Sequence, residues 1–289
     1  MGRIRKAVLP VAGMGTRVLP ATKAIPKEML PVFDRPAIQY VVDEAREAGI
    51  EHFVFVTGRN KNAIEDYFDR SYELETTLAE KGKTAILEEL EPSRPEPGTM
   101  SFVRQQAPLG LGHAIWCARD IIGDEPFAIL LPDVLVDAKP SCLAQMVAVH
   151  EETGANVIAV NPVPKDEVNK YGVIDPAERV GSRIRMKGMV EKPPVESAPS
   201  NLSITGRYIL NRSIFAYLED QAAGAGGEIQ LTDAMARLME KEAFDAVEFE
   251  GTPYDCGSKL GYLEASIGFA LANREHGDTA RALVKSMLG

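Results

Sequence analysis

Three cysteines in 289 residues, Cys117, Cys142 and Cys256, make an odd count with no Cys-x-x-Cys spacing. Neither a disulfide framework nor a zinc site is expected, and the thiols read as small buried apolar residues. Histidine is also sparse. His52, His113, His150 and His276 are too scattered to form a metal cluster by spacing, so each is expected to be structural. No Ser-His-Asp or Cys-His signature is visible, which leaves covalent nucleophilic catalysis without a candidate. Apolar runs stay well short of the ~18 residues that would span a bilayer. The basic N-terminal stretch is broken by Pro10 and glycines, so a signal peptide is not expected and a cytoplasmic location is. Positive charge is short overall: the formal net charge of −10 would repel nucleic acid or an anionic membrane, and neither partner is expected.

What is present is enough core, at 45% hydrophobic residues, for one large α/β domain or two modest ones. Charge is uneven. Residues 1–31 hold Arg3, Arg5, Lys6, Arg17, Lys23 and Lys27 against Glu28 alone, a net +5. Within that stretch an apolar run from Ala7 enters Ala12-Gly13-Met14-Gly15-Thr16-Arg17, the pattern of a buried strand ending in a loop that cradles phosphate. Gly13 and Gly15 let backbone N–H groups approach an anion, and Arg17 and Lys27 supply fixed charge. A dinucleotide fingerprint would need glycine where Val18 stands, and a P-loop would need Gly-Lys-Ser/Thr where Gly15-Thr16-Arg17 stands. Dehydrogenase and P-loop ATPase readings are therefore weak.

Periodicity predicts a helix after Pro36 with Ile38, Val41, Val42 and Ala45 on one face, a strand at Phe53–Val56 and a helix near 62–68. Charged helical segments and an exposed linker follow over 70–100. A strand over 101–106 and a helix after Gly112 precede the apolar strand 127–131, which delivers Asp133 to its carboxyl end. A helix near 143–150 and a strand at 157–160 come next. Residues 161–210 read as short β segments with polar turns. Helices are predicted over 228–241 and after Gly257 (Leu260, Leu263, Ile267, Leu271), with a strand near 247–249 between them. A last stripe, Ala280, Leu283, Val284, Met287 and Leu288, would cap the core or contact a second subunit. The alternation predicts a Rossmann-like, doubly wound, mostly parallel sheet with a β-rich insertion, binding its ligand at the carboxyl ends of the strands.

Ala12–Arg17 is followed by Pro26-Lys27-Glu28-Met29-Leu30-Pro31, Gly110-Leu111-Gly112-His113-Ala114, Leu131-Pro132-Asp133-Val134, Tyr171-Gly172-Val173, Glu191-Lys192-Pro193, Gly227–Asp233 and Tyr254-Asp255-Cys256-Gly257. Together these segments resemble the nucleotide-sugar pyrophosphorylases, in particular their bacterial UTP:glucose-1-phosphate uridylyltransferase branch. The resemblance implies a nucleotide-diphospho-sugar transferase fold in one domain over 1–289, with a nucleotide-binding half to about 160 and a sugar-binding half from about 161. It implies uridylyl transfer from UTP to glucose 1-phosphate, Mg²⁺ as cofactor and a homo-oligomer, dimer or tetramer.

By the same resemblance Ala12, Gly13 and Gly15 form the nucleotide loop, and Arg17 and Lys27 hold the triphosphate, with Lys23 a weaker candidate. Glu28 falls on the nucleobase side, and Gln106 and Gly110 contact the pyrimidine. Gly172, Glu191 and Thr205 line the sugar side, and Lys192 binds the sugar phosphate. Asp133 and Asp255 share Mg²⁺, which takes one or two carboxylates plus substrate phosphates. Rival readings are a thymidylyltransferase or other sugar-1-phosphate nucleotidyltransferase, a non-catalytic sugar-nucleotide sensor, and a glycosyltransferase, for which no acceptor site is visible.

Overall fold

The computed structural model describes residues 2–220, 224 and 227–288. Its strands are β1 (Lys6–Pro10), β2 (Pro31–Val32), β3 (Arg35–Pro36), β4 (His52–Thr57), β5 (Met100–Arg104), β6 (Phe127–Leu130), β7 (Val134–Asp137), β8 (Asn156–Pro162), β9 (Gly172–Val180), β10 (Arg183–Glu191), β11 (Leu202–Leu210), β12 (Phe244–Glu248) and β13 (Thr252–Asp255). The helices are α1 (Ala37–Glu47), α2 (Asn62–Tyr67), α3 (Tyr72–Glu80), α4 (Thr84–Leu90), α5 (Leu111–Trp116), α6 (Arg119–Ile122), α7 (Cys142–Thr153), α8 (Ile214–Glu219), α9 (Leu231–Leu238), α10 (Lys259–Ala272) and α11 (Gly277–Leu288).

Nine strands form one sheet in the order β5-β4-β1-β6-β11-β8-β12-β10-β9. Only part of it is the expected parallel arrangement. β5, β4, β1 and β6 run parallel, as do β8 and β12, whereas β11 is antiparallel to both β6 and β8, and β10 is antiparallel to β12 and β9. The sheet is mixed, and the expectation of a mostly parallel one is corrected. The region 161–210 is not a set of short segments either. It supplies three nine-residue strands, β9 to β11, built into the same sheet. Their outward positions carry Glu178, Arg179, Arg185 and Lys187, and that charge gave the strands the look of polar turns. A further pairing, Ser203 with Val173, joins β11 to β9 and curls five strands into a small closed ring.

Alternation along the strands divides the core between two faces. Ala7, Leu9 and Phe55 pack with Val41 and Met146 on one side; Val8, Val54 and Ile129 pack with Leu231 and Met235 on the other. The three cysteines are free, with Cys142 and Cys256 buried. On α10 the core face is Tyr262, Ala265 and Phe269, while Leu260, Leu263 and Ile267 are exposed. α11 leaves Leu283, Met287 and Leu288 exposed and so does not cap the core. No helix among the described residues is long and apolar enough to cross a membrane.

Candidate active site

The site forms where β1 and β6 end side by side. β1 runs out at Pro10, and the glycine loop turns through Gly15, whose φ of 67° is a left-handed conformation that favours glycine. The Thr22 hydroxyl donates to the Gly15 carbonyl at 2.7 Å and pins the turn. Arg17 follows on a single 3₁₀ turn. From β6 the chain passes Leu131-Pro132 and presents Asp133, whose Oδ2 accepts from Lys27 Nζ at 2.7 Å and from Arg17 Nη2 at 3.3 Å. Burial pushes the Asp133 carboxyl up, yet Lys27 and Arg17 together outweigh it and hold the group below the usual carboxylate range.

Asp255 reaches the same place by another route. β13 pairs antiparallel with β7 and sets Asp255 opposite Val134, the neighbour of Asp133. Its Oδ2 lies 3.6 Å from Arg17 Nη1, so one guanidinium spans both aspartates. Asp255 Oδ1 accepts the Gly257 N–H at 2.9 Å. A Cβ at position 257 would meet that guanidinium, so a side chain there would push Arg17 off its present position.

Two cavities meet at Asp133. One, of about 340 Å³, is lined by Ala12, Gly13, Lys27, Gln105, Gly110 and Asp133. The other, of about 490 Å³, is lined by Arg17, Asp133, Gly172, Glu191, Lys192, Thr205 and Asp255 among others. Leu111, Leu131 and Asp133 belong to both, so the two are lobes of one cleft. In the larger lobe Lys192 holds φ at 46°, with its N–H on the Tyr171 carbonyl at 3.0 Å and its Nζ 3.3 Å from Glu191. Glu191 also accepts from the Thr232 hydroxyl at 2.8 Å, and the Thr205 hydroxyl donates to Asn161 at 2.6 Å.

Three expected residues lie elsewhere. Gly15 shapes the loop but lines neither lobe. Glu28 is buried and pairs with Lys61 at 2.8 Å, beneath the loop rather than in the cleft. Gln106 is exposed and outside both lobes, and Gln105 takes the wall position. The reason is register: the Gln105 N–H continues the ladder onto the Thr57 carbonyl at 2.8 Å, turning its side chain inward and the next one out. Gln105 Nε2 lies 3.0 Å from the Gly110 carbonyl and 3.1 Å from His113 Nδ1. Burial keeps His113 below its ordinary value, as suits a neutral acceptor. Lys23 is exposed on the far side of the loop. Tyr171, Asn161 and Thr232 were not singled out from the sequence; only Tyr171 and Thr232 lie within segments that carry the family resemblance.

The model of the nucleotidyl transferase family matches residues 6–270, a span that contains every lining residue named above. The chain belongs to the nucleotidyl transferase family. This nucleotidyl transferase is 50% identical over 288 residues to the UTP--glucose-1-phosphate uridylyltransferase of Bacillus subtilis, covering 100% of this chain and 98% of that one. A solved UTP-bound UGPase from Acinetobacter baumannii superposes with a TM-score of 0.90 at 48% identity, covering 97% and 98% of the two chains. A UDP-glucose pyrophosphorylase complexed with UDP-glucose gives 0.84 at 44% identity, covering 93% and 100%.

Proposed function

We propose that this nucleotidyl transferase joins UTP and glucose 1-phosphate to give UDP-glucose and pyrophosphate. The observation that carries the reading is the two-lobed cleft whose lobes meet at Asp133, with Lys27 on one side of it and Arg17 on the other. Its weight comes from the near-full-length likeness to a uridylyltransferase. UTP fits the lobe walled by the glycine loop, with its α-phosphorus at the junction, and glucose 1-phosphate fits the lobe of Glu191 and Lys192.

A phosphate oxygen of the sugar forms the new bond to the α-phosphorus while the bond to the β-phosphate oxygen breaks, and pyrophosphate leaves in line. Such a reaction needs alignment and charge neutralisation rather than a protein nucleophile. Arg17 offers a guanidinium fork to the departing pyrophosphate, and Lys27 offers an ammonium to the α-phosphate. Lys192 holds the sugar phosphate, and Glu191 and the Gly172 backbone accept sugar hydroxyls. With Gln105 donating to Gly110 and His113, its amide carbonyl is left to accept the N3–H of uracil.

The donor chemistry of Asp133 and Asp255 fits Mg²⁺: two carboxylates that already converge on one cation, with phosphate and water oxygens to complete the shell. Bound there, the ion would offset the repulsion between the two phosphate groups. We further infer one folding unit over 1–289, a cytoplasmic location and assembly through the apolar face of α10 and α11.

Pyrophosphate release from UTP, glucose 1-phosphate and Mg²⁺ tests the reaction. UTP should be used faster than dTTP, ATP or GTP at matched concentration. Equal use of dTTP would transfer the assignment to a thymidylyltransferase, and no release at all would favour the sensor.

A further inference from the structure

Arg207, near the end of β11, is the bulkiest of the fully buried side chains among the described residues. All five of its N–H donors are committed. Nε donates to Glu44 Oε1 at 3.0 Å, and Nη2 donates to Glu44 Oε2 at 2.8 Å and to the Val134 carbonyl at 2.8 Å. Nη1 donates to the Leu131 carbonyl at 3.0 Å and lies 3.5 Å from that of Gly206. The carbonyls of Leu131 and Val134 are the two ends of the turn that carries Asp133. Glu44, on α1, also accepts the Leu143 N–H at 3.3 Å, in the first turn of α7. One guanidinium thus ties the Asp133 turn to the central sheet and to two helices.

Resting on the uridylyl-transfer reading, we propose that Arg207, anchored by Glu44, is a positioning residue that fixes the Asp133 carboxylate at the junction of the two lobes. Stability alone is a poor account of the pair. A buried ion pair gains little over well-packed apolar side chains, because desolvation offsets its attraction. What apolar side chains could not do is grip two carbonyls three residues apart while holding a bidentate carboxylate. Lysine could not either, since an ammonium has three donors and no planar fork. The reaction is sensitive to such placement: a displacement of about 1 Å can cost on the order of a hundredfold in rate.

The test compares wild type, Asp133→Asn, Arg207→Lys and Glu44→Gln, and each of the last two combined with Asp133→Asn. Turnover is read alongside calorimetric binding of UTP with and without Mg²⁺. In the Asp133 background, Arg207→Lys and Glu44→Gln should each lower kcat by roughly ten- to a hundredfold, with both KM values within about threefold. In the Asp133→Asn background the same changes should cost little further. Mg²⁺-dependent tightening of UTP binding should fall toward that of Asp133→Asn. Losses that simply add, or near-normal kcat in folded variants, would overturn the proposal. If Arg207→Lys does not fold, Glu44→Gln decides alone, since it keeps the side-chain size and both carbonyl contacts. A wild type that binds Mg²⁺ and UTP without turning over glucose 1-phosphate would sink the reaction, while the calorimetric comparison would still judge Arg207.

Discussion

Asp255 ends β13 and Asp133 immediately precedes its partner strand β7, so both face one guanidinium although 122 positions separate them in the chain. If they act as one ligand set, Asp133→Ala and Asp255→Ala should each cut turnover severely, and the double variant should lose far less than the product of the two. Multiplicative losses, with Mg²⁺ dependence intact in Asp255→Ala, would show that the pair is not shared. The pH response follows from Asp133. Its carboxyl is held low in the folded protein, so its stabilising contribution is present above the unfolded carboxylate pKa, ~3.9, and is lost as pH falls through the lower folded value. At this scale the sequence was legible where a residue's chemistry is unusual for its place, such as an arginine after a glycine turn or an aspartate ending an apolar strand. It was not legible at Gln105 and Gln106: two identical side chains stand in succession, and only the register of β5 against β4 decides which one faces the cleft.

At the scale of elements, strand existence was easier to read than strand direction. An antiparallel β11 between β6 and β8 buries both faces just as a parallel strand would, so its apolar pattern is silent about orientation. The element carrying Lys27 shows a second hidden constraint. Glu28, in the same 3₁₀ turn, is buried with one carboxylate oxygen on Lys61 and the other without a hydrogen-bond partner among the described residues. Burial raises the Glu28 carboxyl, against the pull of Lys61 and Lys27. For a raised group the stability contribution is full below the unfolded value and is lost as pH rises through the folded one. Lys61→Met removes the main compensating charge and should destabilise by about 3–5 kcal/mol at neutral pH, with a deficit that narrows on acidification. Adding Glu28→Gln should recover much of the loss and flatten the pH dependence. Thermal melts of wild type and the two variants from roughly pH 8 to pH 5 would check this; a deficit independent of pH would mean that the glutamate is not the strained partner.

For the whole molecule, the feature that the core does not explain is the outer face of α10 and α11. Leu260 is 80% exposed and Leu263 55%, with Ile267 beside them, and α11 adds Leu283, Met287 and Leu288. A stripe that repeats at helical spacing yet stays outside the core is not the isolated surface leucine that needs no account. The sequence left capping the core and meeting a second subunit equally open; exposure removes the first. Glu264, on the same helix, lines the sugar lobe, so a copy docked on this face would also stiffen one wall of the cleft. Burying one leucine or isoleucine contributes about 1.5–3 kcal/mol. Replacing Leu263 and Ile267 together by glutamate should then weaken self-association by roughly 4 kcal/mol, on the order of a thousandfold in the dissociation constant. Light scattering at micromolar concentration should show wild type as an oligomer and the double variant as a monomer with unchanged far-ultraviolet circular dichroism. An unchanged mass would mean that subunits meet elsewhere, and a monomeric wild type would remove assembly from the proposal.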